Sequence, residues 1–133
     1  MNTLGLVACQ SAYAKGTAWL SELKAYLLEN IRITREFLAL RLPKIKFVEP
    51  ESTYLIWLDF SEYGLEQDEL DRRISEGARL WLNTGTMFGT DGRGFQRINI
   101  ACPRVTLIDA LYRLESEFSL ENTADSGSQQ KNN

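Results

Sequence analysis

Histidine is missing altogether from the 133 residues. Its absence removes the usual general base, the Ser–His and Cys–His nucleophile pairs and the commonest metal ligand. Cysteine is scarce, and Cys9 and Cys102 stand far apart without partners. That spacing suggests neither a disulfide framework nor a zinc site, so no metal is expected. Both thiols lie in apolar company and are expected to be buried and inert. No run approaches the ~18 apolar residues that span a bilayer. The opening MNTLGLVACQ lacks the basic flank and cleavage site of a signal peptide. The expectation is a cytoplasmic protein without membrane contact. Basic blocks are missing as well, and the formal charge is −3. Nucleic-acid binding needs a positive footprint to release counterions from phosphates, so nucleic acid is excluded as a partner.

What is present suffices for one compact domain, at 44% hydrophobic and 11% aromatic residues. Residues 3 to 14 read as a small-residue helix with Gly16 as a break. From Thr17 to about Leu42 runs a long helical pattern without proline or glycine. Leu20, Leu23, Leu27, Ile31 and Leu38 form one apolar row and Trp19, Tyr26, Ile33, Phe37 and Leu40 a second. Together the rows cover roughly 200°, about twice an ordinary surface stripe, so this helix is expected to have neighbours on both flanks.

Proline occurs only three times, and each time it punctuates. Pro43 ends the long helix. KIKFVEP reads as a short strand stopped by Pro50, and TYLIWLDF as a stronger one. Residues 66 to 76 read as a helix, with acids in the first turn, Arg72 and Arg73 later and Gly77 as C-cap. ARLWLN is a third strand and FQRINIA a fourth, closed by Pro103. A last helix is expected from Thr106, capped by its hydroxyl, with Leu107, Leu111, Leu114 and Phe118 buried. The expected fold class is α+β: a mainly antiparallel sheet of about four strands with helices packed on one face. Residues 1–42 form the helical segment, 43–120 the small α+β domain and 121–133 a disordered tail.

Arg97 is the residue that most needs explaining, since it sits inside an apolar strand. Alternation puts Phe95, Arg97, Asn99 and Ala101 on one face and Gln96, Ile98, Ile100 and Cys102 on the other. An arginine beside an asparagine offers a donor-rich patch, and a guanidinium matches a carboxylate bidentately. The alternative is a structural arginine paired with Asp59 or a carbonyl. The loop GTMFGTDGRG fits no phosphate-binding pattern. It reads as a hairpin connection with Asp91-Gly92 in the turn, whose exposed Met87 and Phe88 suit a loop covering a site. Neither the acids nor the lysines have a setting suited to catalysis. The residues describe a domain able to bind an anion but without catalytic machinery of its own.

Four stretches, AYAKGTAWLSELKAYLLENI, STYLIWLDF, WLNTGTMFG and GFQRINIACPR, occur in register. They closely resemble the C-terminal part of cystathionine β-lyase-like C–S lyases, pyridoxal 5′-phosphate (PLP) enzymes of the class I/II aminotransferase superfamily. Ser52 stands where that family more often has glycine or alanine. The resemblance implies that Arg97 binds the α-carboxylate of an amino-acid substrate, with Asn99 as a weaker contributor. It also implies that the loop of Gly85, Phe88 and Gly89 borders the active-site mouth and that the long helix from Thr17 is of an interdomain type, joining the small domain to a large one.

The same resemblance places PLP in a large domain, with a Schiff-base lysine that no motif of this chain matches. The chain then reads as a C-terminal fragment, inactive alone, that binds no PLP stably. Its expected partner is the missing large domain, and the parent is expected to be a homodimer. Two other readings stand beside it: the same domain from an aminotransferase, or a free-standing, non-catalytic binding module. The fragment reading expects an exposed apolar patch around Trp19, Tyr26, Phe37 and Phe88.

Overall fold

The computed structural model describes residues 2–119. The expected tail, 121–133, lies outside the described residues. Helix α1 spans Thr3–Lys15 and α2 spans Thr17–Arg41. The Asn2 side chain caps α1 by accepting the Gly5 N–H at 2.7 Å. Gly16 separates the two helices, because a Cβ there would fall 2.4 Å from the Ala12 carbonyl oxygen. Helix α1 buries none of its residues. In α2 only the second half is seated, with Asn30, Ile31, Thr34 and Leu38 buried.

The expected apolar rows of α2 therefore divide along its length. Ile31 and Leu38 enter the core, and Leu27, Ile33 and Phe37 pack against it. Trp19, Leu20 and Tyr26 stay exposed. Phe37, expected on the open patch, instead meets Tyr112 edge-on at 5.2 Å. The remaining three residues of that patch, Trp19, Tyr26 and Phe88, are exposed as expected.

Four strands follow: β1 Lys46–Phe47, β2 Leu55–Asp59, β3 Asn83–Thr84 and β4 Phe95–Asn99. They form one sheet in the order β1-β2-β4-β3, and every pairing is antiparallel. Ile56 and Leu58 of β2 and Ile98 of β4 point beneath the helices. There they join Leu38 and Leu42, Leu70 of helix α3 (Gln67–Arg72), and Leu107, Leu111, Leu114 and Phe118 of helix α4 (Arg104–Phe118). The class is α+β, with the helical cover on one face. Asn30 fastens that cover to the end of β4, since its Nδ2 donates to Ile100 O at 2.9 Å and to Cys102 O at 3.3 Å.

Several boundaries differ from the sequence expectation, each for a physical reason. The helix read over 66–76 is α-helical only through Arg72 and continues as a π-turn over Arg73–Gly77. Arg73 is pulled inward there, its Nε 2.8 Å from Glu117 Oε1 and its guanidinium 4.5 Å from the Phe118 ring centroid. Gly77 lies within that turn, and Ala78 caps it. The expected third strand, 78–83, is largely irregular. Arg79 takes φ 55° and the Leu80 N–H closes on Ile74 O, so the chain is still leaving the helix where a strand was expected. Helix α4 starts at Arg104, two residues before Thr106. The Pro103 carbonyl receives the Thr106 and Leu107 N–H groups, which leaves the threonine hydroxyl no capping role. Cys9 is exposed and Cys102 partly so, against the expectation of two buried thiols; Cys9 is exposed because α1 packs against no core.

Candidate functional site

The face of the sheet turned away from the core carries the site. Antiparallel register sets Trp57 of β2 directly across from Arg97, and Asn83 of β3 across from it on the other side. Directly opposed residues share a face, so the arginine projects between an indole and an amide. Its Nη2 donates to Asn83 Oδ1 at 3.2 Å. The guanidinium carbon lies 4.3 Å from the Phe88 ring centroid and 5.9 Å from that of Trp57. Phe88 and Trp57 meet edge-on at 5.2 Å, and Phe95 lies 6.4 Å from Trp57. Aromatic faces attract a guanidinium without neutralising it.

Arg97 is not held as a structural ion pair. Asp59, the acid weighed as its partner, accepts the Ser61 N–H at 2.8 Å instead. Among the described residues no carboxylate pairs with Arg97, whose side-chain hydrogen bond goes to Asn83. Arg97 Nε is buried with no partner. Several other arginines find acids: Arg32 meets Glu29 and Glu36, Arg72 meets Glu69, and Arg73 meets Glu117. The Arg32 guanidinium holds the Glu29 carboxyl below its ordinary range, and Arg72 does the same for Glu69. A half-buried cation lacking such a neighbour suits an incoming anion.

The other expected site residues fall around it. Phe88 is on the loop after β3 and reaches back over the guanidinium. Gly85 is buried where a Cβ would lie 2.0 Å from Gly92 O, so the two ends of the loop are drawn tightly together. Gly89 takes φ 129°, a conformation suited to glycine, and turns the chain just after Phe88. Beside these residues a recess of about 310 Å³ is lined by Val48, Trp57, Phe88, Asp91, Gly92 and Phe95. Asn99 is exposed, and its Oδ1 turns back to accept the Ala101 N–H at 2.8 Å. That leaves only its amide N–H groups for a ligand.

Sequence reasoning missed Trp57 and Asn83. Alternation along LIWLD, set against β4, places Trp57 beside Arg97. Asn83 carries no such signal, because its register with Arg97 depends on how the intervening loop closes.

Among the described residues no lysine is placed to hold PLP. Lys46 Nζ is 2.8 Å from Glu62 Oε1, and Lys44 lies over the Tyr63 ring at 5.7 Å. Lys15 ends α1, Lys24 is exposed on α2, and no lysine lines the recess beside Arg97. Among the described residues no group of acids and cysteines is placed to hold a metal, and no helix is long and apolar enough to cross a membrane.

Fold and site together define an α+β unit whose outward sheet face carries a guanidinium bonded to Asn83 and, among the described residues, paired with no carboxylate. No protein-family model matches the chain. Individual proteins do. Cystathionine beta-lyase PatB of Bacillus subtilis is 41% identical over 119 residues, 90% of this chain and 31% of that protein. The crystal structure of cystalysin from Treponema denticola, which contains PLP, is 31% identical with a TM-score of 0.85, over 92% of this chain and 30% of cystalysin. The PLP-bound C–S lyase of Staphylococcus hominis is 33% identical with a TM-score of 0.79, over 88% of this chain and 31% of that one. The chain belongs with the cystathionine β-lyase-like C–S lyases of the class I/II aminotransferase superfamily. It spans about 30% of their length, an extent consistent with the small C-terminal domain.

Proposed function

We propose that this chain is the substrate-binding small domain of a cytoplasmic PLP-dependent C–S β-lyase, acting on cystathionine or other cysteine conjugates. Arg97 binds the α-carboxylate of the amino acid in this reading. The observation that carries it is the guanidinium held by Asn83, Trp57 and Phe88 and, among the described residues, paired with no carboxylate. The loop of Gly85, Phe88 and Gly89 borders the mouth of the site, and Asn99 lies at its rim. When held by a large domain, PLP would supply the electron sink for loss of the α-proton and elimination of the sulfur group. This chain grips the substrate's acid end and orients it, with aromatic faces against the guanidinium. A parent homodimer accords with this reading, and the chain alone is expected to have negligible lyase activity.

The test is pyruvate release from cystathionine by this chain joined to its PLP-binding domain. Losing a charge-assisted bidentate contact costs at least ~1.5–3 kcal/mol, so Arg97→Ala should lower kcat/KM by roughly 10- to 150-fold. An unchanged kcat/KM would refute the carboxylate role. Keto-acid-dependent amino transfer in place of pyruvate release would move the parent to the aminotransferases and leave the role of Arg97 standing.

A further inference from the structure

We propose that Asn83 is the positioning residue of the Arg97 site: its neutral side-chain carbonyl fixes the guanidinium without cancelling its charge. This rests on the reading of Arg97 as the carboxylate-binding residue. The amide orientation follows from chemistry, because the opposite one would face Nδ2–H groups against a cation that has only donors. Asn83 is also well anchored for an edge residue. It pairs with Arg97 through the backbone, and the next residue, Thr84, accepts from Gln67 Nε2 at 2.8 Å. Beyond that, Gly85 and Gly92 lock the loop.

A guanidinium has five N–H donors, and a carboxylate engages two that lie parallel. Two such pairs are available to a ligand, Nε with Nη2 at the side or Nη1 with Nη2 at the end. Nε is buried, which closes the side approach. Asn83 takes one proton of Nη2. The carboxylate therefore meets the Nη end of the fork, and Asn83 determines where that end points. An aspartate at the same position would fit the same space and keep the same acceptor. It would also occupy the cation with an ion pair of its own and repel an incoming carboxylate.

That contrast gives the test its direction. If Asn83 served stability alone, the isosteric Asn83→Asp would be milder than Asn83→Ala in every assay. A positioning role that preserves charge reverses the order for ligand binding only. In the PLP-containing enzyme, Asn83→Asp should raise KM for the amino-acid substrate by at least roughly 10-fold, and by more than Asn83→Ala. Asn83→Asp should nonetheless melt at the higher temperature of the two variants. In the 133-residue chain, acetate titration followed by nitrogen-15 NMR of the arginine side chains reads the same site without activity. The Arg97 resonances, assigned by their loss in Arg97→Lys, should move with acetate in the parent chain and stay fixed in Asn83→Asp. If Arg97 responds equally in the parent chain and in Asn83→Asp, the proposal for Asn83 falls while the carboxylate reading stands. If Arg97 does not respond even in the parent chain, the carboxylate reading falls, and this proposal with it.

Discussion

Replacing Asn30 by alanine should loosen the strand that carries Arg97, and the size of the effect can be worked from its contacts. Asn30 is fully buried. Its Nδ2 serves the carbonyls of Ile100 and Cys102, and its Oδ1 accepts from Arg104 Nε at 3.2 Å. Ile100 is itself fully buried, so its carbonyl would lose an internal donor that water cannot replace, at about 1–3 kcal/mol. Cys102 and Arg104 are only partly covered, and water can restore their hydrogen bonds. The void left by the amide adds on the order of 1 kcal/mol. The expected loss for Asn30→Ala is therefore roughly 2–4 kcal/mol. Urea unfolding followed by circular dichroism should show it as a lower midpoint with an unchanged slope.

Tyr26→Phe supplies the comparison, because the Tyr26 hydroxyl accepts the Arg104 N–H at 2.7 Å in an exposed setting. Water can replace that acceptor, so the change should cost no more than about 1 kcal/mol. If Asn30→Ala cost no more than Tyr26→Phe, the assignment of Asn30 as the buried fastening between α2 and β4 would be wrong.

Gly85→Ala would drive a Cβ to 2.0 Å from Gly92 O and 2.9 Å from Phe95 O. Because those atoms are backbone, the loop must shift, at about 1–3 kcal/mol. Phe88 should leave Arg97, read as loss of the ring-current shift on the arginine side-chain protons; an unmoved shift would contradict the packing. Cys9 is exposed whereas Cys102 is partly covered, and burial pushes the Cys102 thiol above its ordinary pKa. A thiol reagent near neutral pH should therefore label Cys9 first, and equal labelling rates would contradict the structure. With the folded-state pKa raised, the contribution of Cys102 to stability is complete below the unfolded value and is lost as pH rises through the folded one. Cys102→Ala should accordingly flatten the fall in melting temperature in the alkaline range.

The sheet was legible because TYLIWLDF is rich in aromatic and branched residues and FQRINIA alternates, and alternation constrains which side of a strand meets the core. Arg97 was conspicuous for the same reason: a charged residue in such a run must have a purpose on the other face. The segment 78–83 misled because Leu80, Trp81 and Leu82 are as apolar as a strand, while the π-turn of Arg73–Gly77 depends on Glu117, distant in sequence. Asn83 was invisible because cross-strand partners depend on loop closure, which here needs the Gly85–Gly92 approach. Cys9 was misjudged because apolar neighbours in a sequence promise burial only if something in the fold covers them.

Helix α1 has none of its 13 residues buried. Isolated helices shorter than about 12–15 residues are marginal in water, so little but its own backbone maintains it. The described residues thus comprise a packed body and an appended helix outside its core. Any surface that came to rest on Leu4, Val7 and Tyr13, all of them exposed, would spend part of its binding free energy on ordering that helix. Association there is inseparable from folding.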